Sequence, residues 1–228
     1  MGEHEANWSL PGVPCGVWEY AQSAELPYLY DHTFATNDLF VLDEQVIGKY
    51  LTHPGVVLDL GCGTGRTLLP LAARGFRAMG VDLSRTMLQA VRKKAAARNI
   101  EVCCVQANLV DLGCFRNNVA DFALCLFSTL GMITPRAARR AVLEHIQRIL
   151  KPGGIAVLHV HNVWFNLWNR PGRAWLVRHA KDVFRGKTAF GDRWFEFAGA
   201  RDVFVHAYTR RELLADLRAA RLRVIERI

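Results

Sequence analysis

Val56-Val57-Leu58-Asp59-Leu60-Gly61-Cys62-Gly63-Thr64-Gly65 is an apolar run that stops at an acid and then at three glycines on alternate residues. It reads as a buried strand running into a loop whose backbone approaches a ligand. Gly61 and Gly63 tolerate positive φ and leave no Cβ in the way, while Gly65 lets the next segment start close against the strand. That segment, Arg66 to Ala73, has Leu68, Leu69, Leu71 and Ala72 on one broad face and reads as a helix. Its unpaired N–H groups point back at the loop, and such an end attracts anions.

A second strand, Arg77 to Val81, runs into Asp82 about 20 residues beyond the glycines. A carboxylate at the tip of the second strand of a βαβ unit accepts both hydroxyls of a ribose. The ligand therefore carries a ribose and an anionic group, which leaves a nicotinamide dinucleotide open beside other nucleosides.

Three motifs stand in order: Leu58-Asp59-Leu60-Gly61-Cys62-Gly63-Thr64-Gly65, Gly80-Val81-Asp82-Leu83-Ser84 and Leu150-Lys151-Pro152-Gly153-Gly154. In order and spacing they resemble the class I S-adenosylmethionine (SAM)-dependent methyltransferases, of the general small-molecule type, over residues 38 to 228. The resemblance implies an α/β fold with a doubly wound, mostly parallel, Rossmann-like sheet in the order 3-2-1-4-5, followed by later strands. It implies SAM as cofactor and S-adenosyl-L-homocysteine as product. The cofactor contacts it implies are Asp59, Gly61, Cys62, Gly63, Gly65 and Arg66 at the first motif, with Asp82, Leu83 and Met87 at the second. Asn108 and Leu109 follow the third strand, and Phe127 follows the fourth. In the family the position of Asn108 is usually an acid that accepts a hydrogen bond from the adenine amino group, and an amide oxygen can accept the same bond. A nicotinamide-dependent oxidoreductase and a methyltransferase-like protein without catalysis stay open as alternatives.

At 228 residues, 51% apolar and 22% charged, the chain has ordinary globular usage and room for one domain with a modest addition, without a second catalytic domain. Cys15, Cys62, Cys103, Cys104, Cys114 and Cys125 form no CxxC, and most lie inside apolar runs, as expected of reduced thiols in a cytoplasmic protein. No apolar run approaches the ~20 residues of a membrane span, and Met1-Gly2-Glu3-His4-Glu5 lacks the basic start of a signal peptide. Ala6 breaks the myristoylation pattern. The net charge of +8 suits RNA, anionic lipid, an acidic small molecule or no partner at all, and charge alone does not choose.

Residues 1–37 are aromatic and turn-rich, with Trp8, Trp18, Tyr20, Tyr28, Tyr30 and Phe34 among Pro11, Pro14 and Pro27 and no clean period. The resemblance implies a segment folding over the cofactor, with Tyr20, Tyr28 and Tyr30 as candidates to line it; a packed surface extension is the alternative. Asp38 to Leu51 reads as a helix with Leu39, Leu42, Val46 and Tyr50 inward. Ser84 caps a helix to Arg98 with Met87, Val91 and Ala95 as its buried stripe.

A third strand covers Val102 to Gln106, and a fourth, Ala120 to Leu126, leads into Phe127-Ser128-Thr129-Leu130-Gly131, which in the family borders the methyl-transfer site. Ser128 is a substrate-binding candidate or a turn cap. Thr134 and Pro135 read as N-cap and N1 of a helix to Leu150, with Ala138, Val142, Ile146 and Ile149 inward and Glu144 paired to Arg148 outside. Lys151-Pro152-Gly153-Gly154 then turns the chain into a fifth strand, Ile155 to Val160.

His159 and His161 share a face of that strand, about 7 Å apart. With no third ligand nearby, no metal is expected. His161, at the strand's carboxyl end, is the candidate catalytic residue, a general base, because imidazole titrates near neutral pH. Tyr20, Tyr30, Ser128, His161, Asn162 and Trp164 form the candidate acceptor site.

Residues 163–200 hold Trp164, Trp168, Trp175 and Trp194 among seven cations and three acids, half the net charge in one sixth of the length. They read as a cap insertion before the last helix, covering the acceptor side and shaped for something flat, anionic or both. Aromatics interleaved with arginines also stack bases, which keeps RNA open. Asp202 to Ala207 reads as a strand, Thr209 to Glu212 as a capping box, and Arg223 to Ile228 as the start of a further strand. The family adds one more, antiparallel, strand, so the ending suggests a truncated chain or a variant edge. The function expected is methyl transfer from SAM to a small molecule. A tRNA or rRNA methyltransferase and a non-catalytic SAM-binding regulator or partner subunit are the alternatives; no oligomeric state follows.

Overall fold

The computed structural model describes residues 10–34 and 37–228, so Trp8 and the rest of the first nine positions of the expected N-terminal segment lie outside the described residues. Five strands, β1 (Val56–Leu60), β2 (Arg77–Asp82), β3 (Cys103–Gln106), β4 (Ala120–Cys125) and β5 (Leu150–Leu158), form one sheet in the order β3-β2-β1-β4-β5. All four pairings are parallel, and Asp59 sits opposite Gly80 on one side and Leu124 on the other.

The sheet is covered on both faces, which is why its strands read as unbroken apolar runs. Leu58, Leu60, Ala123 and Cys125 point into a core with α6 (Arg136–Ile149) and α8 (Arg210–Ala219). Val57, Phe122 and Leu124 point the other way, toward α3 (Asp38–Tyr50), α4 (Leu68–Ala73) and α5 (Arg85–Ala97). Ahead of the sheet lie α1 (Cys15–Gln22) and α2 (Leu26–Thr33). Asp31 of α2 accepts from Thr64 Oγ1 (2.6 Å) and Lys94 Nζ (2.5 Å), and Thr86 Oγ1 donates to Ser23 O (3.2 Å), which ties both helices to the β1 loop and α5.

After β5 come α7 (Arg170–Phe184), then β6 (Asp192–Phe197) and β7 (Ala200–His206), an antiparallel hairpin separate from the main sheet. Buried His206 joins this hairpin to α8: its Nδ1 meets Asp192 Oδ1 (2.7 Å) and its Nε2 meets Glu212 Oε2 (3.0 Å). Burial disfavours its charge, yet the two carboxylates prevail and raise its pKa above the ordinary histidine value.

Several boundaries differ from the sequence reading. Lys151 to Gly154 do not end a helix but bulge within β5, because Ala120 pairs with Leu150 and Phe122 already with Ile155. Gly153 takes φ +80°, and Lys151 Nζ turns back onto Asp121 (2.8 Å). The α6 helix starts after Pro135 without a Thr134 cap. Arg148 ignores Glu144 and donates to the carbonyls of Leu112 (2.9 Å) and Phe115 (2.6 Å), which the loop before β4 turns toward it. On α3 the buried residues are Asp43 and Ile47, whereas Leu39 is exposed. Residues 222–228 form no strand; Glu226 instead accepts from Lys49 Nζ and Tyr50 Oη.

Candidate active site

The bend after β1 is built from glycine backbone. The N–H groups of Gly61 and Cys62 both donate to Val81 O (2.7 and 3.1 Å), so the loop folds over the tip of β2. Gly61 has φ +78°, and a Cβ there would lie 2.3 Å from Thr129 Cγ2. Gly63 has φ +52°, and a Cβ there would meet nothing within 4 Å, so its bare backbone borders open space. The helix expected from Arg66 starts at Leu68, with Gly65 O already accepting from Leu69 N.

Asp82 closes the loop from the β2 side. Its Oδ2 accepts from Gly63 N (2.8 Å) and its Oδ1 from Ser84 N (2.8 Å), leaving one lone pair on each oxygen. Burial raises its pKa, against the pull of the Ser84, Gly63 and Leu83 N–H groups. Asp59 is fully buried and accepts from Thr67 Oγ1; burial pushes it up to about 6, with that hydrogen bond and Arg66 opposing.

Above these residues lies a cavity of about 310 Å³. It brings together Asp59, Gly61, Cys62, Gly63, Arg66 and Asp82 with Leu83, Met87, Asn108 and Leu109. Phe127, Ser128, Tyr20, Tyr30 and His161 reach the same space. Gly65 faces a neighbouring open depression that Arg66 and Tyr30 also line. Asn108 spends its amide on Pro11 O (2.7 Å) and accepts from Val110 N (3.1 Å), which leaves one lone pair on its oxygen.

At the end of β4, Phe127 (φ +48°) and Ser128 (φ +63°) are both left-handed, a strained pair of the kind that clusters at functional sites. Ser128 Oγ accepts from His161 N (3.2 Å), which locks the two strand ends together. The strained backbone aims the Phe127 ring into an aromatic cluster: Phe40 (4.9 Å), Phe34 (5.0 Å), His159 (6.0 Å), His161 (6.2 Å) and Tyr30 (6.3 Å) surround it.

The two histidines have different surroundings. His159 Nδ1 meets Asp43 Oδ1 (2.7 Å), while Asp43 Oδ2 takes Arg66 Nη2 (2.6 Å) and the guanidinium lies 3.8 Å over Phe40. Arg66 Nη1 is buried without a partner among the described residues. The ring of His161 has no hydrogen-bond partner among the described residues; burial, His159 and Arg193 lower its pKa, so it is neutral at pH 7 and able to accept a proton. Among the described residues no three His, Cys, Asp or Glu side chains are grouped to hold a metal.

The cap differs most from expectation. Trp164 packs on Phe190 (5.7 Å) and Asn162 caps the 3-10 turn at Trp164 N (3.1 Å), so neither lines the cavity. Trp175 stacks on His179 (4.5 Å), Trp194 meets Phe204 (5.5 Å), and Tyr28 is exposed on α2. The side chains the cap does send to the cavity are Phe195 and Phe197, two apart on β6, and Phe197 stacks on Phe34 (5.7 Å). Sequence reasoning missed these, and it missed Asp43. The available signals were the i, i+2 aromatic pair and a lone acid one turn before Ile47 on an apolar helix face.

Residues 57–154 match the family described as a methyltransferase domain. The cypemycin N-terminal methyltransferase of a Streptomyces species is 37% identical over 102 residues, covering 45% of this chain and 40% of its own. A SAM-dependent methyltransferase from Methanosarcina mazei superposes with a TM-score of 0.67 at 22% identity, covering 77% of this chain and 83% of the other. The Burkholderia thailandensis 1,6-didemethyltoxoflavin-N1-methyltransferase, solved with S-adenosylhomocysteine, gives 0.61 at 19% identity over 93% and 81% of the two chains. The chain spans about half the length of the curated relatives it matches. The sheet order, the glycine bend and the domain match agree: residues 57–154 belong to the methyltransferase domain family, carried on the fold of the SAM-dependent methyltransferases.

Proposed function

We propose that the chain moves the methyl group of SAM to a small, largely apolar acceptor, with His161 taking the acceptor's proton. The observation that carries this reading is one cavity joining Gly63 and Asp82 to a neutral, unpartnered His161 on the far side of Phe127.

The residues fit the cofactor. Asp82 keeps a lone pair on each oxygen for two ribose hydroxyls, and Gly63 offers no side chain where the amino-acid tail passes. Arg66 Nη1, buried and unpaired, suits the tail's carboxylate. Leu83, Met87 and Leu109 give apolar surface that would take adenine, and the spare lone pair of Asn108 would accept from its amino group. When bound, SAM supplies a methyl group made electrophilic by the sulfonium.

The chain then has to align an acceptor lone pair with the breaking bond and keep water out. Within the 1–37 segment expected as a lid ahead of a catalytic domain over 38–228, the described residues 10–34 cover the cavity, with Tyr20 and Tyr30 of α1 and α2 facing it. Ser128 Oγ holds the backbone of His161, whose free ring nitrogen accepts the proton that an oxygen or nitrogen nucleophile releases. The wall beyond Phe127 is Met132, Ile133, Phe195, Phe197 and Val205, without a charge, which favours an apolar acceptor over the anionic one expected from the cap's composition. Trp164 and Asn162 drop out of the proposed acceptor site.

Calorimetry with SAM, S-adenosylhomocysteine and NADH tests the reading, which requires the first two to bind and is lost if only NADH does. His161→Ala should keep the adenosylhomocysteine affinity and lower transfer by about 100-fold or more. Undiminished turnover would remove the base role.

A further inference from the structure

The cap carries large apolar side chains that nothing in the described chain covers. Phe184 is 93% exposed, Trp168 82% and Phe165 68%. Phe165 and Trp168 lie three apart in the 3-10 turn Val163–Trp168, so they stand on one edge of it. That turn is firmly seated: Val163 is buried beside Leu176 and Ala207, and Arg173 Nη1 donates to Leu167 O (3.0 Å). Next to it, α7 buries Gly172, Leu176 and His179 and presents Arg173, Val177, Ala180 and Phe184 as a stripe on its outer side. Arg170, Arg173, Arg178, Lys181, Arg185 and Lys187 are all exposed, and none forms a salt bridge with a described carboxylate.

We propose that this surface docks the protein on the anionic face of a lipid bilayer. Trp and Phe side chains that enter the headgroup region, flanked by cations with lipid phosphates to meet, are the makings of an interfacial anchor. A second copy of the chain fits poorly, because six like charges would face themselves across a two-fold axis. RNA would satisfy the cations and give one or two rings a base to stack on, but it would leave the Val177–Phe184 stripe in water.

The position matters for the site. The α7 helix runs through residues 185–191 into the hairpin whose Phe195 and Phe197 wall the cavity. A docked cap thus puts the acceptor wall beside lipid, and the acceptor class it fits is a molecule that partitions into membranes. That last step rests on the methyl-transfer reading; docking does not.

The test is co-sedimentation of the full chain, without cofactor, with vesicles of phosphatidylcholine alone and of phosphatidylcholine mixed with phosphatidylglycerol. Binding is expected with the mixed vesicles only and is weakened by salt. Arg178→Gln, Lys181→Gln and Arg185→Gln should each cost about fivefold in partitioning. The Phe165→Ala/Trp168→Ala double variant should cost about tenfold or more, with melting temperature and adenosylhomocysteine affinity at wild-type values. Absence of sedimentation with the mixed vesicles overturns the proposal, as does equal binding by the aromatic double variant. So does a salt-sensitive tRNA gel shift, or a dimer in sedimentation equilibrium, that the same double variant abolishes while vesicle binding stays. Because vesicle binding is read without cofactor, a chain that sediments with lipid but fails to bind adenosylhomocysteine counts against methyl transfer alone.

Discussion

The two halves of the cavity are made in opposite ways. On the cofactor side, the bend from Asp59 to Arg66 is one contiguous stretch, closed by Asp82 through a hydrogen bond to Gly63, and Leu83, Met87, Asn108 and Leu109 add only the mostly apolar end. On the acceptor side, the wall is gathered from α1, α2, the end of β4, His161 and the β6–β7 hairpin, which lie far apart along the chain. A wall drawn from one stretch is set by local backbone geometry, whereas a wall drawn from five is set by how the elements pack.

Asp82→Ala probes the difference most strongly. It removes the acceptor proposed for two ribose hydroxyls and leaves the N–H groups of Gly63 and Ser84 unpaired, so adenosylhomocysteine affinity should fall by about 100-fold or more in calorimetry. Phe197→Ala, on the other wall, should leave that affinity within about threefold, since its ring packs on Phe34 and Tyr20 rather than near the ribose carboxylate. Equal losses in the two variants would mean that the cavity is one cooperative unit and not two halves.

The same contrast decides what the sequence could tell. The bend at Gly61 to Gly65 and the acid at Asp82 were legible because alternate glycines and a strand-tip carboxylate have local causes. The sheet order was legible through the motif series. Trp164 and Asn162 were misplaced because composition says that a cap is aromatic and basic, not which ring turns inward; strand alternation sends Phe195 and Phe197 to the cavity and leaves Trp194 on the other side. Asp43 was invisible because an acid on a helix looks solvated until tertiary packing sets it between Arg66 and His159. The strand expected at Arg223 to Ile228 failed for a related reason: β7 pairs with β6 and not with the main sheet, which leaves that segment no partner laid out for it.

Within the legible half, two glycines two residues apart should separate folding from binding. At Gly61 an added methyl group meets Thr129, so Gly61→Ala combines a left-handed φ with overpacking and should cost about 3 kcal/mol, or about 6–12 °C in melting temperature. Gly63→Ala has the backbone cost alone, about 1–2 kcal/mol, and its methyl group projects into open space beside the cavity. It should therefore lose more cofactor affinity than Gly61→Ala loses once both are folded at low temperature. The reverse ranking would show that the bend at Gly63 is not where the ligand passes.

The smallest effect expected distinguishes the halves by pH. Asp59 on the cofactor side has a folded pKa of about 6 against 3.8 for the free group, so the folded state holds its proton more tightly. Its contribution to stability is full below pH 3.8 and is lost as pH rises through about 6. His206 on the acceptor side is also raised, held by Asp192 from β6 and Glu212 from α8, with Arg139 of α6 opposing and the Tyr208 ring set edge-on at 4.8 Å. Its contribution is full below the ordinary histidine value and disappears as pH rises through the higher folded one. Losing a charge-assisted pair of His206 is worth about 1.5 kcal/mol, or about 3–6 °C. A melting series should show one decline in the acid range, absent in Asp59→Asn, and a second above the ordinary histidine value, absent in His206→Gln. If His206→Gln keeps the upper decline, the hairpin is not clamped to α8 by a protonated imidazole, and the acceptor wall owes its position to the packing of Val203 and Phe204 against α1 instead.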